Sequence, residues 1–240
     1  MKKIETHTHC LGGSCCAIAP IKNLIDDYVT AGYDGVVLTN HLSQFEYNNY
    51  PGETHAEKIE YYYSLYTEGL EYAKQKGINL MFGSEVRVFD PYGFGEYMVY
   101  GVTKQLLMES KPLFEMTQQE LFDFSCKHGL FMFQTHPYRT NVKLGDPKYL
   151  HGAEAFNGHF HHQNNNVLAK EFCDGNSLIK TSGSDYHGVG QPILGGLIVP
   201  DEVEDMQGLI KTLFLGKARI IENQEKYENY LEEYFKRKLK

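Results

Sequence analysis

The chain has 240 residues, 42% of them apolar, and a formal net charge of −8 from 23 basic against 31 acidic residues. That is globular composition, long enough to bury a core without disulfide or metal staples. It excludes several classes: no apolar run approaches the ~18 residues of a membrane span, and no apolar stretch follows the basic start Met1-Lys2-Lys3 as a secretory leader requires. An acidic chain without a basic stripe is a poor partner for nucleic acid. Five cysteines, Cys15 and Cys16 adjacent, make no disulfide framework, so a cytoplasmic setting is expected.

Apolar β-rich runs alternate with helical stretches, without repeats or linkers, and this predicts one α/β domain over residues 1–240. A first strand is expected at Lys3–His7, then a helix over Ile21–Ala31 that stops at Gly32. Gly35–Thr39 reads as a second strand. Ile59, Tyr62, Tyr63, Tyr66, Leu70 and Ala73 form the stripe of a helix over Ala56–Lys76. Strands follow at Ile78–Val88 and Glu96–Val102. Thr117 and Glu120 form a capping box for a helix over Gln118–His128, with Gly129 as its stop. Further strands are read at Leu130–Thr135, Ala153–Asn157 and Leu178–Ser182, with a helix near Asn164–Cys173. Helices over Asp201–Leu213 and Gln224–Lys240 close the chain. The basic end of the last one (Lys236, Arg237, Lys238, Lys240) suits the negative end of a helix dipole.

Ligand-type residues crowd the predicted strand ends: His7-Thr8-His9, Asn40-His41, Ser84-Glu85, Thr135-His136, Asn157-Gly158-His159 and Asp185-Tyr186-His187. In a closed parallel barrel those ends share one face, where such barrels carry their active sites. His7 and His9 are two apart on a strand and point the same way, and Asp185 and His187 repeat the spacing. Imidazoles with a carboxylate suit zinc, manganese or iron, and Glu85 is placed to bridge two ions. Divalent ions held in this way grip a phosphate and lower the pKa of a shared water. An isolated H-x-H is weak evidence; six such segments together point to metal. His55, His128 and His151 have plain structural explanations, while His159 and His161 are candidates for the rim.

With these motifs in hand (H-T-H, G-V-V-L-T-N-H, G-S-E, T-H-P-Y-R, E-A-F-N-G and G-S-D-Y-H, from His7 to about Gly196) the sequence resembles the PHP family, named for polymerase and histidinol phosphatase. The resemblance implies a distorted seven-stranded (β/α)7 TIM-like barrel with two or three divalent transition-metal ions and hydrolysis of phosphate esters. It implies metal ligands at His7, His9, His41, Glu85, His136, Asp185 and His187, with Asp185 and His187 also catalytic. The family often carries a histidine where this chain has Cys15, whose thiolate is a substitute ligand. It also has a second histidine just after the fourth strand, near Thr103, where none occurs. Two ions are therefore expected, and three only if Cys15 ligates.

Arg139 matches the arginine that follows T-H-P, and Arg87 lies two residues past Glu85 on the same strand face. Either guanidinium fork suits a phosphate, and His159 is a third candidate substrate contact. Because arginine is no metal ligand, loss of Arg139 is expected to reduce activity and leave stability almost unchanged. The expected substrate is a small phosphomonoester. A C–N hydrolase of the amidohydrolase kind and a non-catalytic metal module are the alternatives; a P-loop enzyme is excluded, since no G-x-x-x-x-G-K-[ST] loop occurs.

Overall fold

The computed structural model describes residues 1–238. In chain order its elements are β1 (Lys2–Thr8), α1 (Ile21–Thr30), β2 (Gly35–Leu38), β3 (His41–Leu42), α2 (Gln44–Asn49), α3 (His55–Lys76), β4 (Asn79–Asp90), β5 (Gly93–Tyr100), α4 (Lys104–Glu109), α5 (Gln118–His128), β6 (Phe131–Gln134), β7 (Gly152–Asn157), α6 (Asn166–Gly175), β8 (Ile179–Gly183), β9 (Gly195–Val199), α7 (Met206–Phe214), β10 (Arg219–Glu222) and α8 (Gln224–Lys238). The strands run in the order β10-β9-β1-β2-β4-β5-β6-β7-β8, with β3 beside β4. The sheet almost closes on itself: Tyr186 bridges Thr8, and the peptide N–H of Ser184 donates to buried Glu5 at 2.9 Å. Where β1, β8 and β9 meet, side chains are excluded. A Cβ on Gly195 would stand 2.3 Å from the Gly183 backbone, and one on Gly183 would stand 2.4 Å from the Cβ of His7.

This is a distorted TIM-like barrel, but its sheet is mixed where a parallel one was expected. β4 reaches β5 through two residues, Pro91 and Tyr92, and the pair is antiparallel with Asp90 opposite Gly93. A parallel partner needs a crossover of a dozen residues or more, so so short a link can only reverse the chain. β5 also runs antiparallel to β6. β1, β2, β4, β6, β7, β8 and β10 consequently share one direction, and β5 and β9 run against it. The helix over Gln118–His128 has the expected capping box and a left-handed Gly129. α7 starts at Met206, capped by Asp205, rather than directly after Pro200. Strands β3, β9 and β10 and helices α2 and α4 are short elements absent from the sequence reading. Of the predicted terminal helix, residues 239 and 240 lie outside the described residues. No helix among the described residues is long and apolar enough to cross a membrane.

Candidate metal centre

The common direction of six strands brings their ligand-type residues to one mouth. His7 and His9 come from β1 and its end, Glu85 from β4, and Asp185 from the turn after β8; all four are buried. His7 Nε2 and His9 Nε2 are 3.1 Å apart. Each lies 3.3 Å from Oε2 of Glu85, and they are 3.4 and 3.3 Å from Oδ1 of Asp185. Ligands ~2.0–2.1 Å from one ion at the corners of a tetrahedron stand ~3.3–3.4 Å from each other. Five of the six edges of that tetrahedron are therefore present in the protein to within a few tenths of an ångström. The second oxygen of Glu85 faces away, toward His136 Nε2 at 3.1 Å, and accepts from the Thr135 hydroxyl at 2.7 Å. His41 Nδ1 approaches Oε2 of Glu85 to 2.9 Å, yet the two are misaligned for a hydrogen bond. Unpartnered buried imidazole and carboxylate atoms that converge on a point are what a cation would satisfy, and the residues present fit divalent metal.

An outer layer of hydrogen bonds sets the rings. His7 Nδ1 lies 3.0 Å from Glu154, and His9 Nδ1 lies 2.9 Å from the Ser14 hydroxyl. His187 Nδ1 lies 2.8 Å from the Asp185 carbonyl. A proton on each Nδ1 leaves the Nε2 lone pair for metal, the usual arrangement for ligating histidines. Glu154 also accepts from the His136 peptide N–H at 2.9 Å. That bond helps hold His136 at φ 28°, and Asp185 stands at φ 50°. Left-handed conformations at non-glycine residues cost on the order of 1–3 kcal/mol each and collect at functional sites.

Three of the expectations need correction. The Cys15 thiol faces Glu46, while Cys16 places its Sγ 3.1 Å from His187 Nε2 and lies near His41. Burial raises the Cys16 thiol, but these two imidazoles outweigh it and bring it down to about 6. Thr103, at the far end of inverted β5, caps α4. The residue that β5 does deliver to the mouth is Glu96, with Oε2 3.7 Å from His136 Nε2 and a place beside His41 and Glu85. Arg139 is not a free rim side chain: Nη2 donates to Asp185 at 2.6 Å and Asn157 at 2.9 Å, and Nε donates to Asn164 at 2.8 Å. Its removal therefore bears on stability as well as activity.

Arg87 lines the same cavity, with two N–H groups on Glu96 at 2.8 and 2.6 Å and its guanidinium 4.7 Å from the Phe94 ring centre. His159 is buried at the mouth, with Nδ1 3.5 Å from Asp185, and burial depresses its pKa to about 3. His161 stacks on Tyr234 of α8, ring centres 4.4 Å apart. His55 and His151 are structural: His55 bonds Tyr47 and the Leu107 carbonyl, and His151 accepts from the Met132 N–H.

In the metal-free protein, burial works to lower His7 and His41, but the charges of Asp185 and Glu85 outweigh it and hold both rings well above the ordinary range. Burial works to raise those carboxylates, and the imidazoles hold them well below theirs. A ring binds metal only when neutral. Metal uptake should therefore release protons, and affinity should rise with pH through neutrality. The stability sign is opposite for the metal-free form. The raised imidazoles stabilise it fully below about pH 6.5, and that contribution is lost as pH climbs through their folded values. Titration calorimetry in two buffers of different ionisation enthalpy reads the proton count; uptake without proton release contradicts this assignment.

No family model matches the chain, and no curated protein matches it. Solved structures do. A two-domain protein from Bacteroides vulgatus containing a predicted PHP-like metal-dependent phosphoesterase superposes with TM-score 0.65 at 20% identity, over 97% of this chain and 69% of that one. PsfC from Pseudomonas syringae gives 0.66 at 16%, over 100% and 99%. An amidohydrolase from Chromobacterium violaceum with bound sulfate gives 0.54 at 12%, over 92% and 99%. At these identities the likeness is one of fold: the chain shares its distorted TIM-like barrel with these proteins.

Proposed function

We propose that this protein is a metal-dependent phosphoesterase acting on a phosphomonoester. The observation that carries this reading is the convergence of His7, His9, Glu85 and Asp185 beside a guanidinium that still has donors to give. Among the described residues no hydrogen bond engages Nη1 of Arg139, and Arg139 lines a cavity of about 900 Å³ with His41, Asp185 and His187. Bound divalent ions would supply an activated water and neutralise charge on the phosphoryl oxygens. Arg139 is placed to donate from Nη1 to a non-bridging oxygen, its orientation set by Asn157, Asn164 and Asp185. Burial lowers His159, His161 and His162 below their ordinary range. With His159 at about 3 and His162 at about 4, these two rings face the cavity as neutral imidazoles at pH 7. Phe94, Phe160 and Tyr234 give the outer cavity an apolar wall for the alcohol portion of the ester.

The test is a panel of phosphomonoesters, beginning with p-nitrophenyl phosphate, against protein stripped of metal and reloaded with zinc, manganese or ferrous iron. Activity should vanish on stripping and return on reloading. A reloaded protein that ignores every phosphate ester but cleaves amides would replace this reading with the C–N hydrolase that the Chromobacterium likeness offers. Inertness toward both, with metal bound, would mark a structural metal module.

A further inference from the structure

The loop after β1 carries a cysteine into the metal mouth by a route separate from the four-residue cluster. The Ile18 and Ala19 peptide N–H groups both donate to the His187 carbonyl, at 2.8 and 3.4 Å, and pin the loop beside that residue. On the far side the His41 N–H donates to the Ser14 hydroxyl at 2.9 Å. Cys16 is thereby held beside His187, its Sγ 3.1 Å from Nε2, and shares the cavity wall with His41. Nδ1 of His187 is spent on the Asp185 carbonyl, which leaves Nε2 as the ligating atom. The His41 and His187 rings stand 6.3 Å apart, centre to centre, on either side of His9. Cys16, His41 and His187 all line the open cavity.

We propose that Cys16, His41 and His187 hold a metal ion of their own, through one thiolate and two imidazoles, with the remaining position open to the cavity. A shared ion at ~2.3 Å from sulfur and ~2.0–2.1 Å from nitrogen asks Sγ and Nε2 to part by a few tenths of an ångström, well within a loop side chain's freedom. The thiol proton leaves when the ion binds. Sulfur is the consequential donor: thiolate favours zinc, cobalt or ferrous iron over manganese, which prefers oxygen ligands. Cys15, one residue away, takes no part because its thiol faces Glu46. The proposal rests on metal binding at this mouth, not on which ester is cleaved.

Cobalt(II) is the probe. Stripped full-length protein reloaded with cobalt should show the near-ultraviolet thiolate-to-cobalt charge-transfer band, kept in Cys15→Ser and lost in Cys16→Ser. Cys16→His should keep the metal count of the wild type without the band, and it guards against a serine variant that fails to fold. Cobalt should also slow iodoacetamide labelling of Cys16 by roughly tenfold or more, as expected for a ligated thiolate, with Cys15 unaffected. Bound cobalt without the band, or a band that survives in Cys16→Ser, overturns the proposal and leaves the phosphoesterase reading standing. A band in a protein that hydrolyses no phosphate ester has the reverse meaning. If the wild type binds no cobalt, both readings fall.

Discussion

Glu85→Gln should lower kcat/KM for phosphate-ester hydrolysis by roughly a thousandfold or more, about 4 kcal/mol of transition-state stabilisation. Metal content should fall by at least one equivalent. One carboxylate oxygen stands 3.3 Å from both His7 and His9 and 2.9 Å from His41, and the other stands 3.1 Å from His136. Glutamine keeps the shape but removes the charge, and turns either a neutral oxygen or an N–H toward rings that must offer lone pairs. The effect should appear in elemental analysis before it appears in kinetics. A Gln variant with full metal content and activity would show that Glu85 only braces the barrel.

Arg139→Ala should cost twice. Loss of the Nη1 donor should remove about 2–4 kcal/mol of transition-state stabilisation, as for other preorganised donors, or roughly a hundred- to thousandfold in kcat/KM. Loss of the buried pair with Asp185 should also destabilise the metal-free protein by about 3–5 kcal/mol, because a desolvated carboxylate is left without its cation. For a chain of this size that lowers Tm by roughly 6–20 °C. Added metal should restore part of the stability, since a cation again faces Asp185, and none of the rate. Arg139→Lys should keep charge near Asp185 but lose the fork that also engages Asn157 and Asn164. Unchanged melting with reduced rate would mean that solvent already compensates Asp185. Unchanged rate would place the phosphate away from Arg139.

The strand ends were legible because short apolar runs stop abruptly at His, Glu and Asp. A shared strand direction then carries His7, His9, Glu85, His136 and Asp185 to one place without any knowledge of tertiary contacts. The reversal at Pro91-Tyr92 hid the rest of that layer. Asp90-Pro91-Tyr92-Gly93 is a turn signal in its own right. Reading it as a hairpin would have turned β5 over, put Glu96 at the mouth and sent Thr103 to the opposite end. Cys15 against Cys16 could not be decided from spacing, because a loop has no alternation and neighbouring residues can face anywhere. Arg139 was visible as a motif residue, but its three acceptors come from β7, the loop before α6 and the turn after β8, a convergence that only the folded chain displays. Glu154 and Asn157 lay inside a quoted motif, and their role in orienting His7 and Arg139 is equally non-local.

The tie between α8 and Arg139 bears on how the protein is made. The Tyr227 hydroxyl accepts from the Asn164 peptide N–H at 2.9 Å and donates to the His162 carbonyl at 2.7 Å, while Asn164 holds the guanidinium. The mouth thus joins His7 and His9 to Tyr227, far along the chain. At translation rates of ~5–20 residues per second, roughly ten to forty seconds separate the emergence of His7 from that of Asp185. Over that interval His41, Glu85 and His136 emerge in turn, and the set of His7, His9, Glu85 and Asp185 is complete only when Asp185 appears. Binding by all four of these residues therefore waits until Asp185 has emerged.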